Sequence, residues 1–192
     1  MEKVKETLFS IASEHIPEFD WLNKQFSSES FVPADFYLSF NLVHRKIPDD
    51  RIDYTDSEVA AMEVLYPGFT ADLWGTRAVA RTLMALHIPD EYRKTVLDNL
   101  FATADIKELE TLYRALYLLP DPGNYRYRGA EGIRTNMTSV FDALALDNPF
   151  PAEYMDEGPW NQMVLKAIFM QRPLYRIVGI DDRLNENLAR IA

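Results

Sequence analysis

Cysteine is absent from the 192 residues, which excludes disulfides, thiolate zinc sites and cysteine nucleophiles and leaves no sign of an oxidising compartment. Histidine is scarce: His15, His44 and His87 stand alone, with no Glu-x-x-His or His-x-x-x-His spacing to put two metal ligands on one helix face. No metal and no cofactor is expected. Seven glycines, none at the required intervals, rule out a phosphate loop, a dinucleotide fingerprint and a serine nucleophile elbow. No stretch approaches the ~20 apolar residues needed to span a bilayer. Met1 to Ile16 interrupts its apolar positions with Glu2, Lys3, Lys5, Glu6 and Glu14, unlike the unbroken core of a signal peptide. The expectation is a cytoplasmic protein without direct membrane insertion.

Positive charge is also in short supply. Twenty Lys and Arg face 30 Asp and Glu, and the net charge of −10 disfavours nucleic acid and anionic lipid as partners. The excess sits in the first 120 residues, with 20 acids against 12 bases; from Asp121 onward the count is 10 against 8. The densest run, Asp49, Asp50, Asp53, Asp56 and Glu58, lacks the ligand order and turn glycine of a calcium loop and reads as a solvated acidic loop.

What is present is a hydrophobic fraction of 47%, enough for one domain over residues 1–192 with a sizeable core. Apolar residues recur at intervals of three and four, and strict alternation persists nowhere, so the fold class is all-α. The spacing predicts helices over Glu2–Glu14, Asp20–Ser27, Pro33–Lys46, Ser57–Tyr66, Thr70–His87, Asp90–Thr103, Asp105–Leu119, Tyr125–Asp147, Pro159–Met170 and Glu186–Ile191. Thr55 with Glu58, and Asp105 with Glu108, have capping-box spacing. Pro89, Pro120, Pro149 and Pro173 mark helix stops, because proline disfavours a helical residue before it. Each stop closes a similar motif starting at Ala85, Ala115, Ala143 or Ala167, spaced by 30, 28 and 24 residues. That is the scale of a helical hairpin. Antiparallel hairpins are therefore expected, and an irregular, HEAT-like α-solenoid is the form true repetition would take.

Few side chains suggest chemistry. Arg77 and Arg81, four apart and near Trp74, could hold an anion, but pairing with Asp72 or the acidic loop is the simpler expectation. In the C-terminal third, Ile133, Met137, Val140, Phe141 and Leu144 share a helical face, with Asn136 at its edge, where its amide is expected to tie the helix to a neighbouring backbone rather than to meet a ligand. Trp160 to Met170 is apolar nearly all round except for Lys166, which is expected to snorkel or to pair with Asp142 or Asp181. Asn161 shares a stripe with Leu165 and Ile168 and needs a structural hydrogen bond. Asp181 and Asp182 resemble a magnesium cluster only superficially, since the run occurs once and beside Arg183; helix capping and pairing with Arg176 or Arg183 suit them better.

Three blocks also carry a resemblance: EGIRTNMTSVFDALALDNPFPAEY at Glu131–Tyr154, WNQMVLKAIF at Trp160–Phe169 and PLYRIVGIDDR at Pro173–Arg183. They are similar to the signature of the EboA family, and the likeness extends weakly back to residue 104. The resemblance implies a helical protein of an ebo-type gene cluster, involved in trafficking a specialised metabolite or its precursor toward the cell envelope. Its partners would be the small metabolite or other ebo-cluster proteins. No catalytic residue is implied. Matching positions that mix fold-tying and contact roles are Arg134, Asn136, Asn161, Gln162, Lys166, Arg176, Asp181 and Arg183.

Two functional readings follow. The first is a non-enzymatic binding or adaptor module in which Trp160, Tyr154, Tyr175 and Phe169 wall a groove for a metabolite or partner helix. The second is a small helical enzyme using Lys166 with Asp142 or Asp181 on a carbonyl or prenylated intermediate; it requires Lys166 to be unpaired in a pocket.

Overall fold

A computed structural model describes residues 2–26 and 30–191; the expected helix end at Ser27 lies outside them. Twelve α-helices and no strand are present among the described residues. They are α1 (Glu2–His15), α2 (Phe19–Lys24), α3 (Pro33–Lys46), α4 (Asp56–Leu65), α5 (Thr76–Leu86), α6 (Asp90–Thr103), α7 (Ile106–Ala115), α8 (Arg126–Arg134), α9 (Thr138–Ala145), α10 (Phe150–Tyr154), α11 (Glu157–Phe169) and α12 (Glu186–Ile191). The fold class is all-α, as the periodicity requires.

Burial explains which helices are central. Every residue of α5 from Val79 to Leu86 is buried, and so is every residue from Thr111 to Leu116 in and just after α7. Helix α5 packs against α1, α3 and α7; α7 packs against α5 and α9; α9 in turn meets α8 and α10. The row α5, α7, α9 is therefore the spine. Each of these three helices holds the alanine that opens one of the alanine-to-proline motifs, and Ala85, Ala115, Ala143 and Ala167 are all exposed by 2% or less. Trp74, Trp160, Tyr66, Phe40, Phe141 and Phe150 are the largest fully buried side chains of the core, each contributing about 1.5–3 kcal/mol or more from area removed from water.

Both capping boxes form. Thr55 accepts from the Glu58 N–H at 3.3 Å while Glu58 accepts from the Thr55 N–H at 2.8 Å. Asp105 and Glu108 exchange the same pair at 2.8 and 3.1 Å.

Two expected long helices are broken. Over Thr70–His87 the chain first makes a 3-10 turn at Ala71–Leu73, and α5 starts only at Thr76. The cause lies elsewhere in sequence: the Thr76 N–H donates to the Asp50 carbonyl at 3.0 Å and the Thr76 hydroxyl to that of Pro48 at 2.5 Å. Gly75 is needed there, because a Cβ would sit 2.6 Å from the Asp50 oxygen. Over Tyr125–Asp147 the chain divides into α8 and α9, with Thr135 extended at ψ 145°. Met137 is consequently 37% exposed rather than part of the buried face, and Asn136 is exposed rather than tied to a neighbour. Val140, Phe141 and Leu144 keep the buried face of α9.

Candidate functional site

The C-terminal signature residues mostly fasten the last 20 residues to the body. Arg176 binds Asp147 through its guanidinium, with Nε 2.9 Å from Oδ2, while the Asp147 N–H donates to the Arg176 carbonyl at 2.8 Å. Asp147 has φ +50°, a left-handed conformation that asparagine and aspartate tolerate best after glycine. The bond to Asp147 holds the Arg176 pKa above its ordinary value. Arg183 donates to the carbonyls of Pro151 and Ala152 at 2.8 and 2.9 Å, and its guanidinium carbon lies 4.6 Å from the Trp160 ring centre, a cation–π contact. Asn161 and Asn185 exchange amide hydrogen bonds at 3.1 and 2.9 Å, and Asn185 Oδ1 also accepts the Leu188 N–H at 2.8 Å, capping α12.

Lys166 is half-buried, but it pairs with neither Asp142 nor Asp181. Its ammonium donates to the carbonyls of Ile133 and Thr135 at 2.7 and 2.5 Å, where α8 ends, and sits 5.1 Å from the Phe141 ring centre. A cation on the unsatisfied carbonyls of a helix C-terminus is favourable both as hydrogen bond and as charge. The same bonds hold the break between α8 and α9 that periodicity missed. Asp142 is bound by Arg172, with Nε 2.8 Å from Oδ1, and Asp181 is exposed. The expected acid–lysine pairs are thus replaced by carbonyl contacts.

The expected aromatic wall is not assembled either. Trp160 is fully buried beneath Arg183, and its indole N–H has no hydrogen-bond partner among the described residues. Tyr154 packs on Phe150 and Tyr117, at 5.5 and 6.0 Å between ring centres. Phe169 and Tyr175 are 88% and 86% exposed. Arg134 lines an open depression of mixed polarity with Phe101, Leu109, Tyr113, Glu131, Met137 and Val140, whereas Gln162 is simply exposed. Burial pushes the Tyr113 hydroxyl up to about 12, so it stays protonated.

Sequence reasoning also passed over Asn148. It is 1% exposed; its amide donates to the carbonyls of Tyr113 and Ala143 at 3.2 and 2.9 Å, and its oxygen accepts the Phe150 N–H at 3.0 Å. An asparagine directly before proline, between two helices, was the available signal. Gly132 has a similar role in packing: a Cβ would meet the Tyr113 ring at 2.6 Å and Leu144 at 2.8 Å.

The concave site richest in charge lies in the first two thirds of the chain. A cleft of about 470 Å³ opens between the 47–51 loop, α5 and α7, lined by Asp49, Arg77, Arg81, Lys107, Glu110 and Arg114 among others. Arg77 donates to the carbonyls of Ile47 and His44, both at 2.7 Å, and lies 3.6 Å from Asp49. Arg81 does not pair with Asp72, which binds Arg51 instead. Its partner is Glu108, at 3.1 Å, with both side chains exposed by 5% or less. Arg114, 9% exposed, donates to the Leu73 carbonyl at 3.1 Å and has no carboxylate within ion-pair distance among the described residues. Burial lowers the pKa of both guanidinium groups; Glu108 offsets this for Arg81, and Tyr66 and Glu110 offset it for Arg114. The Nε atoms of Arg81 and Arg114 and one oxygen of Glu110 are buried without a hydrogen-bond partner among the described residues.

Glu14, His15 and Glu58 bring ligand atoms within 4.8 Å of one another. Glu58, however, is already taken up by the Thr55 cap and by His15 at 2.9 Å.

Fold and site together define an all-helical protein with a polar interhelical cleft and a C-terminal segment strapped across α9, α10 and α11. The chain belongs to the EboA family: the family model described as metabolite traffic protein EboA matches residues 4–192. The likeness therefore runs through the cleft-bearing N-terminal half, where the sequence alone did not reveal it. Searches of curated proteins and of solved structures give no match. No helix among the described residues is long and apolar enough to cross a membrane.

Proposed function

We propose that this protein is a non-enzymatic carrier or adaptor that holds a specialised metabolite, or its precursor, and passes it toward the cell envelope from the cytoplasm together with other ebo-cluster proteins. The observation that carries the reading is the cleft between α5 and α7, a concavity of ligand size built on the protein's most central helices, in a chain of a metabolite-traffic family. Binding rather than turnover is supported by the state of the groups best suited to catalysis. Lys166 is held by two carbonyls, Asp142 by Arg172, and Asp181 is exposed.

Gentle purification from the native cell followed by native mass spectrometry tests this. A retained small molecule or a retained ebo-cluster protein is the expected result. Turnover of a candidate metabolite by the pure protein, lost on substituting Lys166 with folding intact, would overturn it.

A further inference from the structure

The cleft between α5 and α7 contains more buried positive charge than buried acid. Arg81 and Arg114 are buried there, and among the described residues the one carboxylate buried to a similar degree beside them is Glu108, which lies behind the lining and pairs with Arg81 alone. A guanidinium stays charged in proteins and is expensive to desolvate unless an anion faces it. Of the acids that line the cleft, Glu110 acts on Arg114 through space, but among the described residues none lies within ion-pair distance of it. Asp49 and Asp72 have side chains exposed by 66% and 63%, where water screens them, and they face Arg77 and Arg51. Glu110 receives Lys107 at 2.9 Å on one oxygen and leaves the other unpaired.

We propose that the cleft is an anion site, taking the phosphate or carboxylate group of a small molecule onto the guanidinium groups of Arg114 and Arg81, with Arg77 and Lys107 at its mouth. The planar guanidinium fork suits both groups, which can accept two parallel N–H bonds. The solvated acids at the rim select among anions. They repel an extended polyanion, such as a nucleic acid or a charged membrane, but admit one anionic group whose own hydroxyl or amine substituents can reach Asp49 or Asp105. The volume of about 470 Å³ suits a molecule of metabolite size. This assignment deepens the carrier reading and takes its biological meaning from it.

The test follows the Nε–Hε signals of Arg81 and Arg114 by nitrogen–proton NMR during titration of the full-length protein. Inorganic phosphate and malonate are the probes, at constant ionic strength set with chloride. Saturable shifts of both signals are expected. Saturation with phosphate alone assigns a phosphate ester, and saturation with malonate alone a carboxylate. If neither probe saturates the signals beyond the chloride control, the site does not exist. Arg114→Lys should weaken the effective probe by about tenfold or more, and unchanged affinity in a folded variant would overturn the assignment. Should that variant not fold, Lys107→Ala, whose side chain is 73% exposed, is expected to weaken the probe by about twofold, and the wild-type titration decides on its own. An empty native mass spectrum together with saturable titration would remove the carrier reading and leave the site. A retained neutral metabolite with no titration would do the reverse.

Discussion

Replacing Glu108 by alanine perturbs two things at once. It removes the carboxylate 3.1 Å from Arg81, whose side chain is 2% exposed, and the acceptor 3.1 Å from the Asp105 N–H in the capping box of α7. Stranding a buried charge costs about 3–5 kcal/mol, and the lost capping bond adds about 0.5–1.5 kcal/mol. The sum, about 3.5–6.5 kcal/mol, is a large part of the 5–15 kcal/mol typical of a folded domain. Glu108→Gln should cost less, about 3 kcal/mol, because the side chain can still accept from Asp105 while its charge is gone. Arg81→Met combined with Glu108→Leu should recover most of the loss, since neither partner is then left alone in the core. Urea unfolding followed by far-ultraviolet circular dichroism and tryptophan fluorescence measures all three, provided the two probes coincide. A cost below about 1 kcal/mol for Glu108→Ala, or a double variant less stable than the sum of the single ones, would refute the reasoning.

Lys166→Met keeps the aliphatic stem against Phe141 but leaves the Ile133 and Thr135 carbonyls without their donor. A loss of about 1.5–3 kcal/mol is expected, with faster amide exchange in the last turn of α8; unchanged exchange would mean that the lysine does not hold this helix end. Burial would raise the Asp98 carboxyl, but bonds from Lys94, Tyr127 and Arg128 outweigh it and hold its pKa down to about 2. A depressed carboxylate stabilises the fold above its unfolded pKa, here 3.8, and loses that contribution as pH falls through about 2. Asp98→Asn should therefore flatten the acid limb of a stability–pH profile, and parallel profiles would exclude the effect. Burial also lowers the pKa of His87, which stacks on Phe26 at 4.1 Å between ring centres. Its contribution is complete above the unfolded value of 6.5 and is lost as pH falls through the lower folded value. His87→Gln should remove that component from the Tm measured on mild acidification, and an identical pH slope would count against it. Phe169→Ala with Tyr175→Ala should change stability by no more than about 0.5 kcal/mol, because both rings are mostly solvated. If cellular function is lost while Tm is kept, these rings meet a partner; a large fall in Tm would show that they pack.

Local chemistry was enough to determine much of this protein. The three- and four-residue spacing gave the all-α class, and the Thr55 and Asp105 boxes formed because each is closed within four residues. The boundaries of α3 and α6 likewise follow from signals within the segment. The signature blocks at Glu131–Tyr154, Trp160–Phe169 and Pro173–Arg183 pointed to the family. Tertiary structure decided whatever depends on a partner far along the chain. Helix α5 begins late because Asp50 takes the Thr76 N–H, and α8 ends early where Lys166 reaches its carbonyls from 31 and 33 residues away. The partners of Arg81, Asp142 and Asp147 are Glu108, Arg172 and Arg176, at separations of 27, 30 and 29 residues. Sequence periodicity places a charged group on a helix face but does not choose its counter-ion. That choice belongs to the packing of α5, α7 and α9, which also leaves Arg114 buried without a carboxylate in ion-pair distance among the described residues.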